Sequence, residues 1–267
     1  MGMLAGKVTL ITGGAVGIGA AFARVFAAEG SDIALCDVRP EVIQYGVELR
    51  RAGVRAFGTV ADVRSASDIK GFVERTVGEF GGIDIVVANA GVWRPTYPLA
   101  DSWEKAVDDW DILVGTNLRG VFLTGRAAIP HLVARGGGHI INISTDHICP
   151  PEGTSTGGGT RMDIYDSSKW GINGLTQAWA RVLAPHGVRV NALCMDATDS
   201  MMIRGAVGDR LTDDIVKTWM RPEQIAQLGL DLIAEGAEGR TGENIGAWLG
   251  HEVKLPARRV ALPSRFG

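Results

Sequence analysis

A chain of 267 residues, 46% hydrophobic and 21% charged with 37 glycines, has room for one large α/β domain or two small ones and the composition of a soluble globular enzyme. Its formal net charge of −3 gives no electrostatic case for nucleic acid. Charge or glycine interrupts every apolar run before membrane-spanning length and no signal peptide precedes the first strand, so no membrane partner is expected. The cysteines Cys36, Cys149 and Cys194 are scattered and lack metal-ligand spacing. They read as reduced thiols of a cytoplasmic protein, and no metal site is expected.

Apolar β runs are expected at 7–11, 32–36, 55–60, 83–88, 139–143, 189–193 and 244–249. Helical patterns lie between them at 17–29, 40–52, 66–80, 103–134, 164–184 and 222–235. Short continuous apolar strands alternating with amphipathic helices indicate a parallel sheet covered on both faces. No composition break, long linker or repeat divides the chain, so residues 1–267 read as a single doubly wound α/β domain of the Rossmann type.

The first strand runs into Thr12-Gly13-Gly14-Ala15-Val16-Gly17-Ile18-Gly19, which opens a helix. Gly13 and Gly17 let the chain turn sharply and bring backbone N–H groups to a phosphate, while Gly19 permits close helix packing. Gly13, Gly17, Ile18 and Gly19 are therefore cofactor-binding candidates. Asp37 ends the next strand about 20 residues on, where an acid binds adenosine ribose hydroxyls and opposes a 2′-phosphate. NAD is expected over NADP, although Arg39 stands close enough to meet a phosphate.

Further along, Tyr165-Asp166-Ser167-Ser168-Lys169 puts a phenol and an ammonium on one helix face. An ammonium beside a phenol favours the phenolate, which suits proton exchange during hydride transfer at a carbonyl carbon.

With these motifs in order, and with Asp62-Val63, Asn89-Ala90-Gly91, Asn117 and Ser144 between them, the chain resembles the short-chain dehydrogenase/reductase family over about Leu4 to Leu249. The resemblance implies a seven-stranded parallel sheet, a nicotinamide cofactor, and a homodimer or homotetramer. It also implies that Asp62 and Val63 flank adenine and that Asn89, Ala90 and Gly91 border the cofactor. The catalytic set it implies is Asn117, Ser144, Tyr165 and Lys169. Tyr165 exchanges the proton, Lys169 lowers its pKa and binds the nicotinamide ribose, Ser144 holds the substrate oxygen, and Asn117 bends its helix to hold a water. His147 is a rival base with nothing at recognisable spacing to orient it, and is read as substrate-lining or structural.

The chain departs from the family pattern in three places. The interval from Ser144 to Tyr165 is longer than usual by roughly eight residues, which fits an inserted loop at 150–161, centred on 153–161. Met195-Asp196 replaces the usual Pro-Gly, with Thr198 and Ser200 left as candidates for the carboxamide-binding position; Asp196 either binds a substrate hydroxyl or caps the turn. Trp248-Leu249-Gly250-His251-Glu252 replaces the usual ending, followed by a tail at 255–267 bearing Arg258, Arg259 and Arg265.

A mobile lid is expected at 199–220. Its Met201, Met202 and Trp219, with Trp93, Cys149 and Met195 elsewhere, suggest a medium-sized apolar, aromatic or cyclic substrate. Arg94, Arg161 and Arg204 leave an acidic one open. The function expected is NAD-dependent interconversion of a secondary alcohol and its ketone. The alternatives are a non-catalytic dinucleotide sensor and a dehalogenase on the same fold.

Overall fold

Aliphatic runs form seven strands: β1 (Val8–Thr12), β2 (Asp32–Asp37), β3 (Ala56–Val60), β4 (Ile85–Ala88), β5 (Gly138–Thr145), β6 (Val188–Met195) and β7 (Asn244–Ala247). This computed structural model describes residues 2–152 and 162–258; the expected insert at 153–161 and the tail beyond Arg258 lie outside the described residues. All strand pairs are parallel, in the order β3-β2-β1-β4-β5-β6-β7. The order reverses between β1 and β4, so a crevice opens there above the carboxyl ends of the strands.

The helices are α1 (Gly17–Ala28), α2 (Glu41–Arg51), α3 (Ala66–Phe80), α4 (Trp103–Val114), α5 (Gly120–Ala134), α6 (Asp163–Leu183), α7 (Met201–Val207), α8 (Asp213–Thr218) and α9 (Pro222–Ala234). Ser65 and Ser102 start α3 and α4 by accepting the N–H groups of Asp68 and Lys105, each at 3.2 Å. Gly81 ends α3 at φ +84°, a conformation that favours glycine. Strand alternation sends Ile11, Ile33, Val87, Ile141 and Leu193 to one core with Phe22, Phe26 and Ile225, on the α1–α9 side. Leu10, Val86, Ile140 and Val190 face the other core with Phe72, Ile172 and Trp179, on the α3–α5–α6 side. Burying each such side chain stabilises the fold by about 2 kcal/mol before chain entropy is subtracted.

The boundaries shift in three informative places. Strand β4 begins at Ile85, because the Asp84 carboxylate accepts the Val8 N–H at 3.0 Å and pairs with Arg135 at 2.9 Å. The helix expected over 103–134 is interrupted at Gly115–Arg119 by one π-helical turn, which holds Asn117 at the bend. Strand β5 runs two residues beyond 143 and therefore includes Ser144 and Thr145.

The lid segment is closed at its base by a bridge between Thr198 and Met220, with Asp199 N donating to Met220 O and Met220 N to Ala197 O, both at 2.9 Å. After β7 the described tail folds back on its own chain. Leu249, Val253 and Leu255 pack on the α1–α9 core, Arg240 Nη2 donates to Pro256 O at 3.0 Å, and Arg258 donates to Glu238 O at 2.9 Å. Among the described residues no helix is long and apolar enough to cross a membrane.

Candidate active site

The turn from β1 into α1 is shaped by steric necessity. Gly13 and Gly17 have φ of +65° and +57°. A Cβ on Gly19 would lie 2.1 Å from Gly13 O, so only glycine lets α1 approach the turn. Asn89 fixes the same turn from β4, donating through Nδ2 to Thr12 O at 3.0 Å and Gly13 O at 2.9 Å. Thr12 Oγ1 accepts the N–H groups of Asn89 and Ala90. Asn89 and Ala90 thus brace the turn.

No side chain caps α1 and no acid lies in its first turn, so its leading N–H groups and positive dipole end face the crevice. Such a cradle fits a dinucleotide pyrophosphate. Asp37 ends β2 beside it, accepting Ala15 N at 3.1 Å and Arg39 N at 3.0 Å. Its carboxylate keeps lone pairs for ribose hydroxyls. Asp62 is held by Arg64 at 2.7 Å, which keeps its carboxyl below the usual range. Val63 is buried against Gly120, where an added Cβ would lie 2.7 Å from Val63 Cγ2. Ser200 caps α7, accepting the Ile203 N–H at 3.4 Å, and lies next to Gly17. Thr198 is buried and donates to Asp196 O at 2.9 Å.

At the other end of the crevice, α6 carries Tyr165 and Lys169 to the tip of β5. Lys169 Nζ lies 5.7 Å from the Tyr165 ring centroid and donates to Ile143 O at 3.0 Å. An added Cβ on Gly91 would lie 3.6 Å from Nζ, so β4, β5 and α6 converge on this amine. Burial brings Lys169 down to about 8. Burial also pushes the Tyr165 phenol up, helped by the carboxylates of Asp166 and Asp146. The ammonium turns to the strand carbonyl, and enclosure plus two acids hold Tyr165 as the neutral phenol. Asn117 is fully buried, with Nδ2 donating to Val92 O at 3.0 Å and Ser168 Oγ at 3.1 Å, and Oδ1 accepting Val92 N at 2.8 Å.

Ser144 does not face the phenol. Because β5 extends to Thr145, the two side chains point to opposite faces. The Ser144 hydroxyl is buried without a hydrogen-bond acceptor among the described residues and lies beside the Cys194 thiol, opposite it in the β5–β6 register. The hydrogen-bonding contact from Thr145, by contrast, opposes the rise of the Tyr165 phenol. Thr145 thus joins Ser144 as a candidate hydroxyl, a position that sequence reasoning missed.

His147 also differs from expectation, because an orienting group exists. Its Nδ1 lies 2.6 Å from Asp166 Oδ1, on the helical residue next to Tyr165, and the His147 and Tyr165 rings meet edge to face at 6.2 Å. The partners are 19 residues apart, so no local spacing advertises them. Burial and the nearby Asp196 push the Asp146 carboxyl up.

The remaining candidates separate. Trp93 is half-buried, with an indole N–H that has no acceptor among the described residues. Cys149 packs inward, with Sγ 3.5 Å from Asn244 O, and its carbonyl accepts Trp248 Nε1 at 2.8 Å. Met195 belongs to the α1–α9 core, and Met202 is exposed on α7. Asp196 caps the turn: it accepts Ala197 N at 2.6 Å and Leu249 N at 3.2 Å, tying the exits of β6 and β7 together. Arg94 is held by Asp108 and Asp109, and Arg204 by Asp199, so neither is free for an acidic substrate. Arg161 lies outside the described residues.

The arrangement has close relatives. Residues 7–210 match the family model described as short chain dehydrogenase. The chain is 36% identical over 197 residues to the oxidoreductase UcpA of Escherichia coli K12, covering 73% of this chain and 70% of that one. It is 32% identical over 235 residues to the cis-4-hydroxycyclohexanecarboxylate dehydrogenase of Sinomonas cyclohexanicum, covering 86% and 90%. A crystal structure of a short chain dehydrogenase from Burkholderia cenocepacia J2315 in complex with NADP superposes with a TM-score of 0.77 at 29% identity, covering 91% of this chain and 96% of that one. With its seven-stranded parallel sheet, glycine turn and Tyr165–Lys169 helix, the chain belongs to the short-chain dehydrogenase family, a family of NAD(P)-binding oxidoreductases.

Proposed function

We propose that this protein is an NAD-preferring oxidoreductase that interconverts a secondary alcohol and its ketone, with a medium-sized, partly apolar or cyclic substrate. The observation that carries the reading is the convergence of Tyr165, Thr145 and Lys169 at the tip of β5, across the crevice from an uncapped α1 N-terminus.

The nicotinamide cofactor, when bound, supplies the hydride acceptor or donor. Gly13, Gly17, Ile18 and Gly19 hold its phosphates, Asp37 its adenosine ribose, and Asp62, Val63 and Ala90 border the adenine side. Lys169, with Thr198 and Ser200, serves the nicotinamide half. Asp37 favours NAD because its carboxylate would repel a 2′-phosphate.

Tyr165, a neutral phenol in this setting, gives its proton to the forming alkoxide in ketone reduction. In alcohol oxidation it first loses a proton, so oxidation rises with pH. The Thr145 hydroxyl, which donates to Asp146 Oδ1 here, turns its proton to the substrate oxygen and stabilises the charge developing there. Asn117, at the π turn, positions Lys169 through the loop after β4.

Homodimer formation fits the same reading. Trp103, Val107, Trp110 and Phe122 are exposed along α4 and α5, and Trp170 on α6. Beside them Val114, Leu118, Phe122, Gly171 and Leu175 line a groove of about 470 Å³. Spectrophotometry of NADH formation from butan-2-ol, with NADP in parallel, tests the reading. Turnover that needs Tyr165 and favours NAD supports it; turnover that survives Tyr165→Phe overturns it.

A further inference from the structure

His147 follows Thr145 by two residues in the short 3₁₀ turn Asp146–Ile148, so it stands on the same rim of the crevice. Its Nδ1 is 2.6 Å from Asp166 Oδ1. In the neutral tautomer whose Nδ1–H donates to this carboxylate, Nε2 is an acceptor. Nε2 has no hydrogen-bond partner among the described residues; Asp146 Oδ1 lies 4.0 Å away, beyond bonding distance. Asp146 Oδ1 already accepts the Thr145 hydroxyl at 3.1 Å. His147 Nε2 and the second oxygen of Asp146 thus stand near Tyr165 as two acceptors, with the Thr145 hydroxyl already on Asp146 Oδ1. Asp146 bears on Tyr165 only through its charge, and the His147 ring has no part in the chemistry derived above.

We infer that the substrate carries a second hydroxyl on the carbon next to the reacting one, and that His147 Nε2 and the Asp146 carboxylate receive it. His147 is then a specificity-determining residue, and Asp166 positions it. The inference rests on the proposed carbinol chemistry at Tyr165. An anionic neighbour is disfavoured because two acceptors face it and Arg94 and Arg204 are already paired. An ammonium would meet acceptors too. A hydroxyl is preferred because it costs less to desolvate in a partly enclosed crevice, and Asp146 already accepts one hydroxyl here.

The test compares butane-2,3-diol, butan-2-ol and 3-aminobutan-2-ol as substrates of the full chain, with NAD and with NADP. The expected kcat/KM for the diol exceeds that for the mono-alcohol by about tenfold, the value of one added hydrogen bond. His147→Leu should bring that ratio to about one, mainly through KM, as expected when a hydrogen bond to bound substrate is lost. His147→Gln, whose amide oxygen also accepts, should keep most of it, which separates recognition from a folding defect. A wild-type ratio near one overturns the inference, as does a preference for the amino alcohol, or a ratio that His147→Leu leaves intact. Absence of Tyr165-dependent turnover with all three probes instead removes the alcohol reading itself, and the inference falls with it.

Discussion

The two ends of the crevice are built by different means. The β1–α1 end is backbone: glycines that no other residue can replace, bare N–H groups, and a carboxylate tied to two of its neighbours. The β5–α6 end is side chains brought from distant parts of the chain, with Asp166 on His147, Lys169 on Ile143 O and Asp196 on Leu249. A backbone site is a local property and tolerates almost no change. A side-chain site is a set of pairings in which one residue can be exchanged for its neighbour, and there this chain departs from the family pattern.

The sharpest way to break this contrast is at Gly19. Gly19→Val should abolish measurable NAD and NADP binding by calorimetry and destabilise the fold by about 2–3 kcal/mol, because the new atoms overlap Gly13 O. Retained binding would mean that the turn is not the cradle.

At the side-chain end, Thr145→Val should lower kcat by about 10²-fold, the usual cost of one donor to a developing oxyanion. Ser144→Ala should stay within about threefold of wild type, since it removes a buried hydroxyl with no acceptor among the described residues. The reverse order would restore Ser144 to the catalytic set.

A third measurement concerns Lys169. Burial lowers its pKa from 10.5 to about 8. Between those values the unfolded chain holds a proton that the folded chain has released, so this group's contribution to stability rises with pH through that window. Below about pH 8 both states are protonated and the folded chain carries the whole desolvation cost. Lys169→Met should therefore stabilise the fold near pH 7, by on the order of 2–3 kcal/mol, and the gain should vanish above pH 10.5. Denaturant melts at both pH values check it.

The smallest effect is expected at Asp37. Asp37→Ser should move the NAD:NADP ratio of kcat/KM toward NADP by about tenfold, since it removes one opposing charge at a buried position whose carboxylate is already shared with two backbone N–H groups.

Legibility in the sequence follows the same division. All seven strands and the helices flanking the glycine turn were readable, because apolar period and glycine placement are local signals. Tyr165 and Lys169 were readable from their spacing of four. The contact of Thr145 with Tyr165 was not, because β5 and α6 meet only in the fold. Asp166 as the partner of His147 was also hidden, since β5 and α6 meet only in the fold. Asp196 left two readings open, and its bonds to Ala197 and Leu249 favour the turn cap.

The central claim is that Tyr165 moves the proton while the β1–α1 end independently holds the cofactor. Its most direct test is Tyr165→Phe, assayed for NAD binding by calorimetry and for single-turnover NADH formation. The expected result is a Kd within about threefold of wild type with turnover reduced by about 10³-fold or more. A variant that still turns over near the wild-type rate would contradict the claim.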